Sequence, residues 1–344
     1  MAFTYFTLIA SYLALFFAVC ELIRKKKHIS DYYLTIWLLV LSAFMFCKLE
    51  DSQLFIITEK ILSALHGIIL FLYIKSLTSQ SRFLLKDLLH LTPFVLVVFP
   101  VFFISGYVFT FAYQLLSLVL FFIYIALSAY MVFKYKRSIK EIYSTVKDSE
   151  TSWLNILIYG GFFFVTNYIL ELLFSAYPAE MIEYIALFIF MNIVGIKGVF
   201  RTMNFVKPPL KIEDNAVSKV SYSNYGLKQT EAEKLSERLN EYMKNEKPYL
   251  NPSLSLKDLA KAMNTYPHYI TQVLNTVLNQ NFYDFVNEYR IEEAERQLTS
   301  PSKSKFTILS IAFDCGFNSK ATFNRVFKEK KGVTPTKYKN KIYQ

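Results

Sequence analysis

The sequence predicts an all-α chain in two unlike parts, an N-terminal bundle of transmembrane helices and a soluble C-terminal tail built on helix-turn-helix units. Three observations predict it. Long apolar stretches follow one another up to about residue 201, charge gathers beyond residue 210, and the helix-turn-helix pattern occurs twice in the tail. Of 344 residues, 53% are hydrophobic, 17% aromatic and 19% charged, a mixture too apolar for a soluble enzyme of this length. Residues 211–344 hold 21 of the 38 Lys+Arg and 15 of the 27 Asp+Glu, so the tail is the charged part. Cys20, Cys47 and Cys315 are the only cysteines and share no metal-ligand spacing. Apolar residues begin at Ala2 with no basic segment before them, which reads as a retained span.

A bilayer core about 30 Å thick needs roughly 20 apolar residues of helix. Seven stretches approach that length: Thr4–Ile23, Tyr32–Cys47, Ile61–Leu77, Leu91–Ile104, Ala112–Phe133, Leu154–Tyr177 and Ile182–Phe200. The second and fourth are short and the fourth carries Pro93 and Pro100, so six spans is the alternative.

Lysine and arginine resist translocation, so their distribution sets orientation. With seven spans they cluster in every second loop: Arg24, Lys25, Lys26 and Lys27; then Lys75, Arg82 and Lys86; then Lys134, Lys136, Arg137, Lys140 and Lys147. The alternate loops are nearly free of them. This predicts the N-terminus outside and the chain from residue 201 onward inside.

Polar residues within spans tend to face the bundle interior, where they pair or meet a ligand. His66, Asn167, Glu171 and Asn192 are the candidates for sensing a signal. Asn167 and Glu171 are four apart and share a helical face. The asparagines equally suit hydrogen bonds that knit helices together. Lys197 sits near the inner end of its span, where its ammonium reaches the headgroups.

From Arg201 the apolar runs stop, Pro208 and Pro209 break any helix, and the chain reads as a tether to about Lys228. Thr230 with Glu233 suggests a capped helix start, followed by Leu235, Leu239 and Tyr242 at helical spacing. Ser255 and Asp258 form a second capping pair, before Leu256, Leu259, Ala260 and Met263. A turn at Asn264 and Thr265 leads to a helix from Pro267 with Ile270, Val273 and Leu274 inward. His268, Tyr269, Thr271, Gln272 and Asn275 are left outward.

The same pattern returns about 50 residues on. Thr307 opens a helix with Ile308, Ile311 and Ala312 inward, Gly316 turns the chain, and Ser319 caps a helix from Lys320. There Phe323, Val326 and Phe327 face inward, leaving Lys320, Ala321, Asn324, Arg325 and Lys328 outward. A longer helix, Phe282–Leu298, connects the two units.

Over Ser255–Lys339 the sequence resembles the AraC family of bacterial transcription regulators. The resemblance rests on Leu259, Ala260, Pro267, Ile270, Phe282, Phe285, Arg290, Glu293 and Ala294. In the second half it rests on Ile308, Ile311, Ala312, Gly316, Phe317, Ser319, Phe323, Phe327, Lys328, Gly332, Thr334 and Pro335. Two positions depart from the family pattern: Tyr266 stands where a capping Ser is usual, and Asn279 replaces a Gly. The N-terminal half is similar in architecture to the multi-span sensor regions of some members.

The resemblance implies two helix-turn-helix units docking in successive major grooves of double-stranded DNA at promoter sites, by a homodimer. Ser319 and Thr322 join the outward residues as expected DNA contacts, since Arg, Lys, Asn and Gln donate to or bridge base edges and small groups such as Ala321 or Thr322 meet thymine methyls. Arg325 suits either guanine or phosphate, and Lys328 suits phosphate. The expected domains are a sensor at 1–201, a linker at 202–228 and a DNA-binding domain at 229–344. The expected setting is the bacterial inner membrane, multi-pass, with the tail in the cytoplasm, no cofactor and no enzymatic activity, and an unidentified small-molecule or membrane signal. The alternative is a transporter or membrane enzyme with a regulatory DNA-binding tail; no Cys/His pair, Gly-rich phosphate loop or two-His metal spacing supports catalysis.

Overall fold

A computed structural model describes residues 2–25, 28–49, 52–79, 85–99, 107–145, 148–174, 179–199, 226–303 and 305–343. Every regular element among them is helical, apart from one isolated antiparallel bridge between Tyr143 and Ser255. The chain divides into two compact units, Met1–Tyr135 with Ser149–Pro208, and Lys136–Asp148 with Pro209–Gln344. The second unit thus takes in a short segment of the apolar half, from the end of one of its helices to the start of the next.

The first unit contains α1 (Ala2–Ile23), α2 (Ile29–Cys47), α3 (Gln53–Thr78), α4 (Leu91–Val98), most of α5 (Tyr107–Lys140), α6 (Asp148–Leu173) and α7 (Ala179–Val199). Five of these are long and apolar enough to cross a membrane, over Tyr5–Ile23, Ile29–Cys47, Gln53–Thr78, Phe111–Lys140 and Ser152–Leu170. Ile185–Val199 is a shorter apolar helix. The expected fourth span is represented by the eight residues of α4, and the rest of it, from residue 100 to 104, lies outside the described residues. Both faces of these helices are apolar: Tyr12, Phe16, Ile23, Phe133 and Tyr159 are exposed while Ala14, Leu38, Ile68 and Val194 are buried. A helix apolar all round suits an apolar solvent.

Small residues let the helices approach. Gly195 on α7 faces Phe17 of α1 so closely that a Cβ would lie 2.1 Å from the ring. Ser11 of α1 and Ser42 of α2 each donate to the other's backbone carbonyl at 2.9 Å, which satisfies both hydroxyls without water. At one end of the bundle Glu21 is fully buried and takes a 2.8 Å ion pair from Arg24, whose other nitrogen donates to the Val199 carbonyl.

The second unit holds α8 (Gln229–Glu246), α9 (Leu256–Ala262), α10 (Pro267–Thr276), α11 (Phe282–Thr299), α12 (Ile308–Asp314), α13 (Lys320–Lys331) and α14 (Pro335–Tyr343). The start of α8 lies two residues earlier than the Thr230–Glu233 spacing suggests. The Lys228 backbone N–H donates to the Glu231 carboxylate at 3.0 Å, so Lys228 is the N-cap and Glu231 closes the turn. The other starts follow the sequence. Ser255, Thr307 and Ser319 accept from the backbone N–H groups of Asp258, Ser310 and Thr322 at 3.2, 3.1 and 3.3 Å.

Candidate nucleic-acid interface

Two hydrophobic cores meet on one helix. Leu235, Leu239, Leu259, Ile270 and Val273 pack with Phe282, Phe285 and Val286 from the first turns of α11. Ile311, Phe317, Phe323 and Phe327 pack with Ile291, Ala294 and Leu298 from its later turns. Each core closes one helix-turn-helix unit, α9–α10 and α12–α13, so α11 is the rigid connector between them.

The turns follow from backbone needs. Asn264 and Asn279 adopt φ of 50° and 51°, the left-handed conformation in which Asn is the best non-glycine occupant. Gly316, with φ +85°, makes the second turn, and a Cβ there would lie 2.3 Å from the Tyr249 carbonyl oxygen. α10 starts at Pro267 with Tyr266 as N-cap and no side-chain cap bond; the Tyr266 ring instead stacks on His268 at 5.6 Å.

The expected contact residues divide. On α10, His268 and Asn275 are exposed, and Tyr269 and Thr271 half-buried. Gln272 is buried, and its amide clips the chain before α8: Nε2 donates to the Leu227 carbonyl and Oε1 accepts from the Leu227 N–H, both at 2.9 Å. On α13, Lys320, Ala321, Arg325 and Lys328 are exposed and Asn324 is half-buried. Thr322 is buried and Ser319 serves as the helix cap. Arg325 donates to the Tyr283 hydroxyl at 2.8 Å and pairs with Glu329 at 3.3 Å. Lys331 pairs with Glu295, and Lys339 donates to the Phe306 carbonyl.

The group that sequence reasoning passed over is Arg290, used only as a point of resemblance. It is fully buried, one turn from Val286 and one from Ala294, both also fully buried. An arginine at that spacing on an otherwise apolar face is the signal that was there to be used. Its guanidinium donates to the carbonyls of Tyr249, Asn251 and Ser144 at 2.7, 2.9 and 2.9 Å, and to the Ser144 hydroxyl at 3.1 Å. Burial pulls its pKa down to about 10, so it stays charged at neutral pH. Cys315 in the second core is pushed up to about 12 by burial and then by Glu293 and Asp314, which keeps it a thiol.

Within the first unit, His66 and Asn167 line one cavity of about 380 Å³, with Trp37, Phe44, Tyr113 and Phe164. Among the described residues neither His66 ring nitrogen has a hydrogen-bond partner. Asn192 donates to the Phe188 carbonyl of its own helix at 2.8 Å. The Glu171 side chain lies outside the described residues. Among the described residues no cluster of His, Cys, Asp or Glu could hold a metal ion.

Residues 259–341 match the family model described as a helix-turn-helix domain. The C-terminal domain is an AraC-type helix-turn-helix domain. The AraC-type domain is 32% identical over 91 residues to an uncharacterized HTH-type transcriptional regulator of Staphylococcus aureus, covering 26% of this chain and 12% of that protein. It is 26% identical over 90 residues to the Msm operon regulatory protein of Streptococcus mutans, covering 26% of this chain and 31% of that protein. With the regulatory protein SoxS of Escherichia coli it shares 27% identity over 94 residues, 27% of this chain and 85% of that protein. The chain therefore spans less than a third of the length of the first two relatives and most of the third. No solved structure matches the chain.

Proposed function

We propose that the protein is a membrane-anchored, sequence-specific DNA-binding transcription regulator and not an enzyme, in which a signal received by the apolar helices controls the AraC-type domain. The observation that carries this reading is a double helix-turn-helix domain in the same chain as five helices long and apolar enough to cross a membrane. The three relatives named above are all called regulators, which supports transcriptional control through DNA. Exposed His268, Asn275, Lys320, Ala321, Arg325 and Lys328 supply donors, acceptors and a methyl suited to base edges and phosphates.

In this reading the chain lies in the bacterial inner membrane with the N-terminus outside and the tail in the cytoplasm, and binds promoter DNA as a homodimer. The cavity holding His66 and Asn167 receives the signal: it is walled by aromatic rings and carries imidazole nitrogens that no described residue hydrogen-bonds, as a site for a small, mostly apolar molecule would.

The deciding experiment uses the full-length protein in lipid nanodiscs to select duplexes from a random pool at physiological salt. Enrichment of a defined motif is expected, and recovery of unenriched DNA only would sink the reading. In cells, H66A and N167A are expected to keep membrane expression and motif binding while abolishing signal-dependent change at a reporter carrying that motif.

A further inference from the structure

The segment Lys136–Asp148, from the end of α5 to the first residue of α6, lies in sequence within the apolar half, yet belongs to the same compact unit as the AraC-type domain. Tyr143 forms an antiparallel bridge with Ser255, the N-cap residue of α9. The bridge is flanked by two backbone hydrogen bonds, Leu256 N–H to the Ile142 carbonyl at 2.9 Å and Ser144 N–H to the Leu254 carbonyl at 3.3 Å. Side chains reinforce it: the Ser144 hydroxyl donates to the Leu254 carbonyl at 2.6 Å and that of Thr145 to the Pro252 carbonyl at 2.7 Å.

Beneath this strand sits Arg290. Among the described residues the guanidinium has six oxygen acceptors, and three of them come from the strand: the Ser144 carbonyl, the Ser144 hydroxyl and the Thr145 hydroxyl. No carboxylate is among them. A buried cation of this kind is held by its full set of hydrogen bonds, and the strand supplies half of the set. Arg290 is also where the two helix-turn-helix units touch. It binds the carbonyls of Tyr249 and Asn251 ahead of the first unit, and its guanidinium lies 5.8 Å from the ring centre of Phe317 in the second core. Two residues before Ile142, the Lys140 ammonium lies 5.1 Å from the ring centre of Tyr283, the residue that accepts from Arg325 on α13.

We propose that Ile142–Thr145 is a built-in docking strand for the AraC-type domain, seated on Arg290, that fixes the two helix-turn-helix units relative to each other for simultaneous binding to DNA. The surface it fills is the N-terminal edge of α9 together with the Arg290 face of α11, and its partner is this chain's own segment. Docking leaves His268, Asn275, Lys320 and Arg325 exposed, so the strand supports the reading helices and does not plug them. The chain enters the strand from α5 and leaves it toward α6, two helices with membrane-spanning composition. Displacement of either pulls on the strand through the covalent chain. The consequence for DNA rests on the proposed function; the docking itself does not.

The experiment uses the full-length protein in lipid nanodiscs, first without DNA, so that failure of docking and failure of DNA reading are separate results. Tyr143 and Ser255 form a non-hydrogen-bonded antiparallel pair, whose Cα atoms stand about 4.5 Å apart, within reach of a disulfide. Y143C/S255C is expected to link on mild oxidation, identified as a joined peptide by mass spectrometry. Replacing Ile142–Thr145 by Gly-Ser-Gly-Ser is expected to speed amide hydrogen exchange across 249–256 and 286–294 by roughly tenfold or more. S144A/T145A, which removes only the hydroxyls and keeps the backbone, should give a smaller rise in the same segments. Absence of the link, or unchanged exchange in S144A/T145A, would overturn the docking, including where the Gly-Ser variant fails to assemble. With a duplex selected by the wild-type chain, the linked protein is expected to bind at least as well as the reduced one. A link that abolishes binding would overturn the supporting role.

Discussion

Arg325, on the outward face of α13, donates to the hydroxyl of Tyr283 on α11 at 2.8 Å, across 42 residues of sequence. The bond aims a guanidinium that would otherwise sample many rotamers, and α11 thereby sets the direction of a side chain expected to meet DNA. Y283F keeps the buried ring and deletes the acceptor. It is expected to cost about 1 kcal/mol in thermal unfolding of the C-terminal unit. It should also weaken binding to a selected duplex mainly through faster dissociation, read by stopped-flow or surface plasmon resonance. An unchanged dissociation rate would mean Arg325 swings free of Tyr283 on DNA.

Gly316 and Gly332, both with positive φ, separate conformational strain from steric conflict. At Gly332, φ is +75° and a Cβ would meet nothing within 4 Å, so G332A carries the left-handed penalty alone, about 1 kcal/mol. At Gly316 the same penalty is joined by a clash with the backbone oxygens of Tyr249 and Leu250. G316A should cost roughly 3 kcal/mol or more in the same unfolding assay. Equal losses at the two positions would contradict the close approach of the 249–250 segment.

Acid should loosen the connector through Glu293. Burial pushes this carboxyl up, but hydrogen bonds from Arg296 and Gln297 and the charges of Arg296 and Lys247 outweigh it, and its pKa ends below the ordinary glutamate value. A depressed carboxylate contributes stability that is full above its unfolded pKa and is lost as pH falls through the folded one. Glu295, held down by hydrogen bonds from Lys331 and Tyr338, acts in the same direction. E293Q should therefore flatten the loss of unfolding temperature below about pH 4.3, the unperturbed glutamate value. A wild-type profile as flat as that of E293Q would contradict the assignment.

Lysines of the tail differ in what they have left to give. Lys320 and Lys328 are exposed and take part in no ion pair among the described residues, whereas Lys331 is engaged by Glu295 and Lys339 by the Phe306 carbonyl. K328A is expected to lower the slope of log affinity against log salt by about one, with base preference unchanged. K331A should leave the slope nearly as it was and act on stability instead.

Much of this molecule follows from local sequence. Twenty-residue apolar runs, capping residues at Ser255, Thr307 and Ser319, and the inward spacing of Ile270, Val273 and Leu274 or of Phe323, Val326 and Phe327 depend on neighbours within a turn or two. The corresponding helices form where that spacing places them. A residue's outward position on a helical wheel, however, does not say whether another part of the chain covers it. Gln272 falls on the outward arc by spacing and is buried, because the chain before α8 returns to bond it at Leu227, and Thr322, expected to meet a thymine methyl, is buried as well.

The sequence by itself determined the all-α class, the separation of apolar and charged parts, the two helix-turn-helix units and the set of side chains from which a DNA-reading surface can be drawn. Those properties are carried by periodicity and composition, which are short-range. Only the tertiary structure decided that Arg290 is a buried hub, that Tyr283 aims Arg325, and that Ser144 and Thr145 close the shell of a guanidinium 146 and 145 residues away. Hydrogen bonds of that span have no period in the sequence; they exist because a buried charge must find its acceptors wherever the fold brings them.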